Sequence, residues 1–213
     1  MGRLNRPRPG TLQWRAAALA AAIALAATAC ATTTGTPAPT IRYTAVPIAA
    51  TPWPHGTTGK FGLHIDPALL ARLPSKVDGL VLVEDATSEG SAMNDADLAK
   101  NFDGYAAASI GLVGDANWLN VAVGRLKDSV AGSDSYTDFY LAWVNEYASG
   151  ACSQADGVAD SSQQTINDWL VDVSHCKGAI SVYSLPLGSG ILLSMYGMGS
   201  RDMGRKLIAG LSG

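Results

Sequence analysis

A single α+β domain is the fold class this sequence predicts, and three observations carry it. Between Gln163 and Gly197, short runs rich in Val, Ile, Leu and Tyr alternate with the turn signals Asn167-Asp168, Lys177-Gly178 and Gly188-Ser189-Gly190. That is the pattern of an antiparallel meander. Upstream, Phe139, Tyr140, Trp143, Val144 and Tyr147 recur at helical spacing, and Met203, Leu207, Ile208 and Leu211 do so again near the C-terminus. The expectation is an antiparallel sheet of about five or six strands with about four helices packed on it, over residues 60–213. A chain of that length buries about two-thirds of its unfolded surface in one core.

In chain order, the first helix opens at Asp66-Pro67, because Asp caps free N–H groups and Pro forgoes a donor that the first turn cannot use. Leu69, Leu70 and Leu73 supply its apolar side and Pro74 stops it. Gly79-Leu80-Val81-Leu82-Val83 is apolar on both faces, which predicts a short central strand. A Ser/Gly-containing loop leads to Asn94-Asp95, where a second helix is expected with Leu98, Phe102, Ala106 and Ile110 as its buried stripe. Trp118 to Leu126 reads as a strand, with Leu119, Val121 and Val123 on one face.

The third helix is expected to be capped by Asp134 or Ser135, with Asp138 placed as in a capping box, and to end at Gly150. Its aromatic stripe is expected in the core. Gln163–Ile166 and Trp169–Cys176 form a hairpin across Asn167-Asp168. Ala179–Leu187 and Ile191–Gly197 complete the meander, and a last helix spans about Ser200 to Leu211. A PsbP-like α/β/α sandwich combines similar ingredients and is the alternative arrangement, by analogy of layout only.

The N-terminus carries an address. Arg3, Arg6, Arg8 and Arg15 come without an acidic residue, then Ala16 to Ala29 is built almost wholly of Ala, Leu and Ile. A basic stretch, a short apolar stretch and small residues describe a secretory signal, and the apolar part falls short of the roughly 18–20 residues that span a bilayer. Leu25-Ala26-Ala27-Thr28-Ala29-Cys30 resembles the bacterial lipobox, with Ala27 where Leu is usual. The resemblance implies a diacylated (palmitate-type) Cys30 at the mature terminus, on the outer face of the cytoplasmic membrane. Ala27-Thr28-Ala29 also fits an A-x-A site, so secretion after cleavage at Ala29 is the alternative.

Residues 30–59 follow as an extended tether. Between residues 31 and 59 stand nine Thr and five of the ten prolines, a composition that cannot bury a core. Trp53 and His55 within it are a weak docking motif at best. The domain organisation is therefore signal peptide 1–29, tether 30–59 and globular domain 60–213. Of the three cysteines, Cys30, Cys152 and Cys176, acylation of the first leaves one even pair in an oxidising compartment, Cys152–Cys176.

The whole chain carries 15 basic and 18 acidic residues, net −3; losing four Arg with the signal leaves 11 against 18, net −7. No basic stripe of the kind that binds nucleic acid follows Arg15. Catalytic signatures are equally scarce. G-x-S-x-G does not occur. Ser174-His175-Cys176-Lys177 matches S-x-x-K, but on an expected strand end and without its S-D-N and K-T-G partners. His55, His64 and His175 are scattered, and no zinc spacing exists. Asn94, Asp95 and Asp97 crowd a helix start without the Gly and terminal Glu of an EF-hand. Gly197-Met198-Gly199 is similar to a phosphate-cradling opening, yet lacks the remainder of that motif and reads as a strand-to-helix turn. The expected function is a non-catalytic envelope module that binds a ligand or a protein partner, without a cofactor. A hydrolase using two of Glu84, Asp85, Asp115 and Asp172, or a structural assembly factor, are the alternatives.

Overall fold

The computed structural model describes residues 56–111 and 117–212. The lipobox, Cys30, Trp53, His55 and Asp115 lie outside the described residues. In chain order the elements are β1 (His64–Ile65), a 3-10 helix (Pro67–Arg72), β2 (Lys76–Val77), β3 (Leu80–Val81), β4 (Val83–Glu84), α1 (Ala86–Met93) and α2 (Ala96–Asn101). They continue as β5 (Phe102–Ile110), β6 (Trp118–Leu126), α3 (Asp128–Ala131), α4 (Tyr136–Ala151), β7 (Val158–Ile166), β8 (Trp169–Cys176), β9 (Ile180–Gly188), β10 (Ile191–Met198) and α5 (Met203–Ala209).

The class is α+β, but the sheet is larger than expected. Eight strands run in the order β1-β5-β6-β10-β9-β8-β7, with β4 also on β5, and β2–β3 form a separate hairpin. Every pairing in the large sheet is antiparallel except β1 with β5. Period-two alternation assigns the faces. Val121, Val123, Leu185, Leu193 and Met195 turn to one side, where Leu69 of the 3-10 helix, Leu73 just after it, and Leu207 and Ile208 of α5 cover them. Phe102, Leu126 and Leu192 turn to the other, against Phe139, Tyr140 and Trp143 of α4. The aromatic stripe of α4, expected in the core, packs half-buried against it. Two of its polar tips are bonded: Tyr140 OH donates to Asp172 Oδ2 at 2.7 Å, and Trp143 Nε1–H donates to Ser194 Oγ at 2.9 Å.

The meander follows the sequence closely. Ile166 pairs with Trp169, leaving Asn167 and Asp168 at φ 47° and 66°, the two left-handed residues of a tight primed turn. Cys152, which caps the end of α4, is bonded to Cys176 at the end of β8, with Cα atoms 5.1 Å apart and both side chains buried. α5 is shorter than expected, yet Met203, Leu207, Ile208 and Leu211 are all buried.

The first half departs from the reading in several places. Residues 86–93 form α1 rather than a loop, and the expected second helix stops at Asn101. Phe102 to Ile110 is strand β5. A spacing of four is a multiple of two as well as close to one helical turn, so Ala106 and Ile110 fit one face of a strand equally well, while a bulge between Phe102 and Gly104 turns Phe102 to the other face. Eight-strand pairing decided the matter. Gly79–Val83 is not a central strand: Asp78 and Gly79 turn at φ 55° and 81°, and the residues after them are split between β3, in the separate hairpin with β2, and β4, on the outer edge of β5. Asp66 makes no side-chain cap; its carboxylate accepts from Arg125 instead. Ser135 caps α4 without a side-chain bond, and the helix runs through Gly150 to Ala151. At the start of the fold, Gly56 N–H donates to Ile65 O and Ile65 N–H to Thr57 O. Hydrogen bonding therefore reaches back into the segment read as tether.

Candidate functional site

The outer edge of β5 concentrates the unusual chemistry. β1 covers Gly104 and Tyr105, and β4 covers Ala108 and Ser109. Between them the backbone of Ala107 would be left bare, and a buried unpaired N–H costs about 1–3 kcal/mol. Two groups fill the gap. Asp85 N–H donates to Ala107 O at 2.9 Å, and Ala107 N–H donates to Glu89 Oε1 at 3.2 Å.

Asp85 sets this up. Its Oδ1 accepts from Thr87 and Ser88 N–H, each at 3.1 Å, and its Oδ2 accepts from Ser88 Oγ at 2.7 Å. That capping starts α1 immediately after β4. Glu89, one turn in, then points at β5 with none of its surface exposed. Its other oxygen, Oε2, has no partner, and neither has Glu84 Oε1 on the adjacent strand. Burial pushes the Glu89 carboxyl up to about 7; the Ala107 N–H opposes this, while the neighbouring acids Glu84 and Asp85 add to it. Tyr105 faces the same acids, and burial first, then Asp85 and Glu89, push its hydroxyl well above the usual phenol range.

Beside this cluster lies an apolar run open to solvent. Leu80, Val81 and Val83 are 37 %, 53 % and 58 % exposed, while Leu82 alone turns into the core. A Leu-Val run on a sheet margin is costly to leave in water, and such patches mark interaction surfaces.

Two clefts lie elsewhere. One, about 180 Å³, is lined by Trp118, Ser181, Tyr183, Gly197 and Asp202, among others. There Tyr183 OH donates to Asp202 Oδ1 at 2.5 Å. Gly197 and Gly199 border it as the strand-to-helix turn read from the sequence, with Gly199 at φ 115°. The other, about 330 Å³, lies open between Asn167, Asp168, Trp169 and Leu211. Drug-sized ligands usually occupy 300–1,000 Å³ of more enclosed space.

The remaining sequence candidates are dispersed. Glu84 and Asp85 sit together at the β5 edge, while Asp172 stands on β8, five strand spacings from β4 or about 24 Å away. Asp95 caps α2 through Asp97 and Leu98 N–H, and Asn94 bonds Gly90 O. Ser174 Oγ shares a hydrogen bond with Ser161 Oγ, away from Lys177, so S-x-x-K forms no nucleophile pair. His64 Nδ1 bonds Thr58 Oγ1, and His175 Nδ1 bonds Asp160 Oδ1. Among the described residues, no three His, Cys, Asp or Glu converge to hold a metal, and no helix is long and apolar enough to cross a membrane.

Glu89 was missed because residues 86–93, Ala-Thr-Ser-Glu-Gly-Ser-Ala-Met, read as loop. The available signal was Asp85 followed by Ser at the third helical position, a capping arrangement that sets a helix there. Compared with protein-family models, curated proteins and solved structures, the chain has no match.

Proposed function

We propose that this chain is a lipid-tethered envelope module, non-catalytic, that engages a protein partner through the exposed Leu80-Val81-Val83 surface. In this reading the segment 1–29 directs export, Cys30 carries the lipid on the outer face of the cytoplasmic membrane, and residues 30–55 give reach. Two acyl chains hold a protein stably at a bilayer where one does not. Secretion after Ala29 is the alternative address.

The observation that carries the reading is the exposure of three aliphatic side chains, Leu80, Val81 and Val83, close together along one stretch of chain. Its complement is a protein partner with an apolar face of its own. The small, open clefts support a surface partner over a carried ligand. A hydrolase draws less support, since Glu89 is buried and Asp172 is remote from Glu84 and Asp85. Nucleic acid is not expected as a partner of so acidic a chain.

The test is in-cell crosslinking of full-length protein in its own host, comparing wild type with Val81→Asp/Val83→Asp. A defined crosslinked protein should be lost from the variant while its melting temperature and membrane fraction are unchanged. An identical crosslink pattern from both proteins would discard the surface; crosslinks to lipid alone would discard a protein partner. Labelled fatty acid should appear on wild type and not on Cys30→Ala.

A further inference from the structure

Glu84 and Glu89 are two acids from adjacent elements whose facing chemistry does not close as it stands. Glu89 Oε2 and Glu84 Oε1 are both buried and both unpartnered. Two carboxylates are acceptors only, so neither can satisfy the other. One proton changes that: a carboxylic acid donates, and the carboxylate opposite accepts. The groups acting on Glu89 from every side are acidic or neutral: Glu84 from β4, Asp85 from the cap of α1, and the Ala107 N–H from β5. Tyr105 on β5 stays neutral beside them. On β1, which also touches α1, His64 is held by Thr58. Asp95, at the start of α2, adds a further negative charge near Tyr105. No cation in that set compensates a second negative charge.

We propose that Glu84 and Glu89 share a single proton, taken from solvent, which pins β4 and α1 to the uncovered stretch of β5, so that this edge loosens as the medium turns alkaline. Loss of the proton leaves two buried negative charges side by side, and the least costly relief is to draw β4 or α1 away from β5. The bonds at stake are Asp85 N–H to Ala107 O and Ala107 N–H to Glu89 Oε1. β4 also carries Val83, so the same proton sets how firmly that exposed side chain is presented. The device stands whether or not Val83 meets a partner.

The test uses full-length protein with labelled Glu side-chain carboxyls, read by NMR across pH 4 to 9. The carboxyl assigned to Glu89 should titrate near 7. Over that range, exchange of the Asp85 and Ala107 amides, corrected for intrinsic rate, should speed up more than that of central-strand amides such as Val123. In Glu89→Gln, whose amide donates permanently, the Asp85 and Ala107 exchange should lose its pH dependence. In Glu84→Gln, the Glu89 midpoint should fall toward the ordinary carboxyl range without reaching it, because burial persists. A Glu89 carboxyl titrating near 4.5 in wild type, or an unchanged Glu89 midpoint in Glu84→Gln, would overturn the proposal. Should either variant fail to fold, the wild-type titration still decides.

Discussion

Raising the pH from 4.5 to 8 should destabilise the whole domain, and Glu89 is the reason. Its carboxyl ionises near 7 in the fold and near 4.3 in an unfolded chain. A folded pKa above the unfolded one means that the fold binds the extra proton. The stability it supplies is complete below about pH 4.3 and is lost as pH climbs through 7. At 1.36 kcal/mol per unit, a shift of this size corresponds to about 3.7 kcal/mol, of which about 3 kcal/mol falls between pH 4.5 and 8. Complete burial of the side chain leaves little solvent screening to reduce it. The raised tyrosines do not enter this window, and Asp78, lowered mainly by its bond to Lys206, acts only at more acid pH and in the opposite sense. Urea unfolding followed by tryptophan fluorescence would read the effect. With a slope of about 2 kcal/mol/M, the midpoint should drop by about 1.5 M between pH 4.5 and 8. Glu89→Gln should remove most of that drop and be the more stable protein at pH 8. A wild-type midpoint that is flat or rises across the window would refute the argument, since it would place the Glu89 proton equally in both states.

Reducing Cys152–Cys176 should lower Tm, because it frees a loop spanning 24 positions, worth about 3.5 kcal/mol in chain entropy and roughly 7–14 °C for a domain of this size; thiol labelling of unreduced, exported protein should leave both cysteines unmodified. Gly124→Ala should cost about 1–3 kcal/mol in calorimetry, since a Cβ there would stand 2.6 Å from the Phe102 ring. That ring cannot retreat, being wedged between Phe139 and Trp143. Arg125→Met should cost only about 1 kcal/mol in urea unfolding, because its bonds to Asp66 and Asp103, at 2.7 and 2.8 Å, join half-exposed side chains that water screens.

The site was less legible than the fold. Asp85 and Glu84 could be singled out as acids, but not as neighbours of Glu89, whose role depends on a gap between β1 and β4 that only strand pairing creates. Leu80 to Val83 was visible as an apolar run, yet its exposure was not. Apolar pattern reports what a segment prefers to bury, and a surface that meets something else carries the same pattern.

By itself, the sequence was enough for the features that local chemistry dictates. The β7–β8 turn follows from Asn167-Asp168 accepting left-handed φ, and the buried face of α4 follows from its aromatic spacing. The buried set of α5 and the only even cysteine pairing left by an acylated Cys30 are of the same kind. Tertiary structure decided the questions that involve distant partners. Phe102 to Ile110 became a strand because β6 offered a full antiparallel edge to a spacing that suits helix and strand alike. Asp66 left its helix cap for Arg125, 59 positions away. Glu89 turned inward because Ala107 had an N–H that no strand reached. A residue's own preferences are set within a turn or two of chain, whereas the ladder and the buried polar groups must be satisfied across the whole molecule.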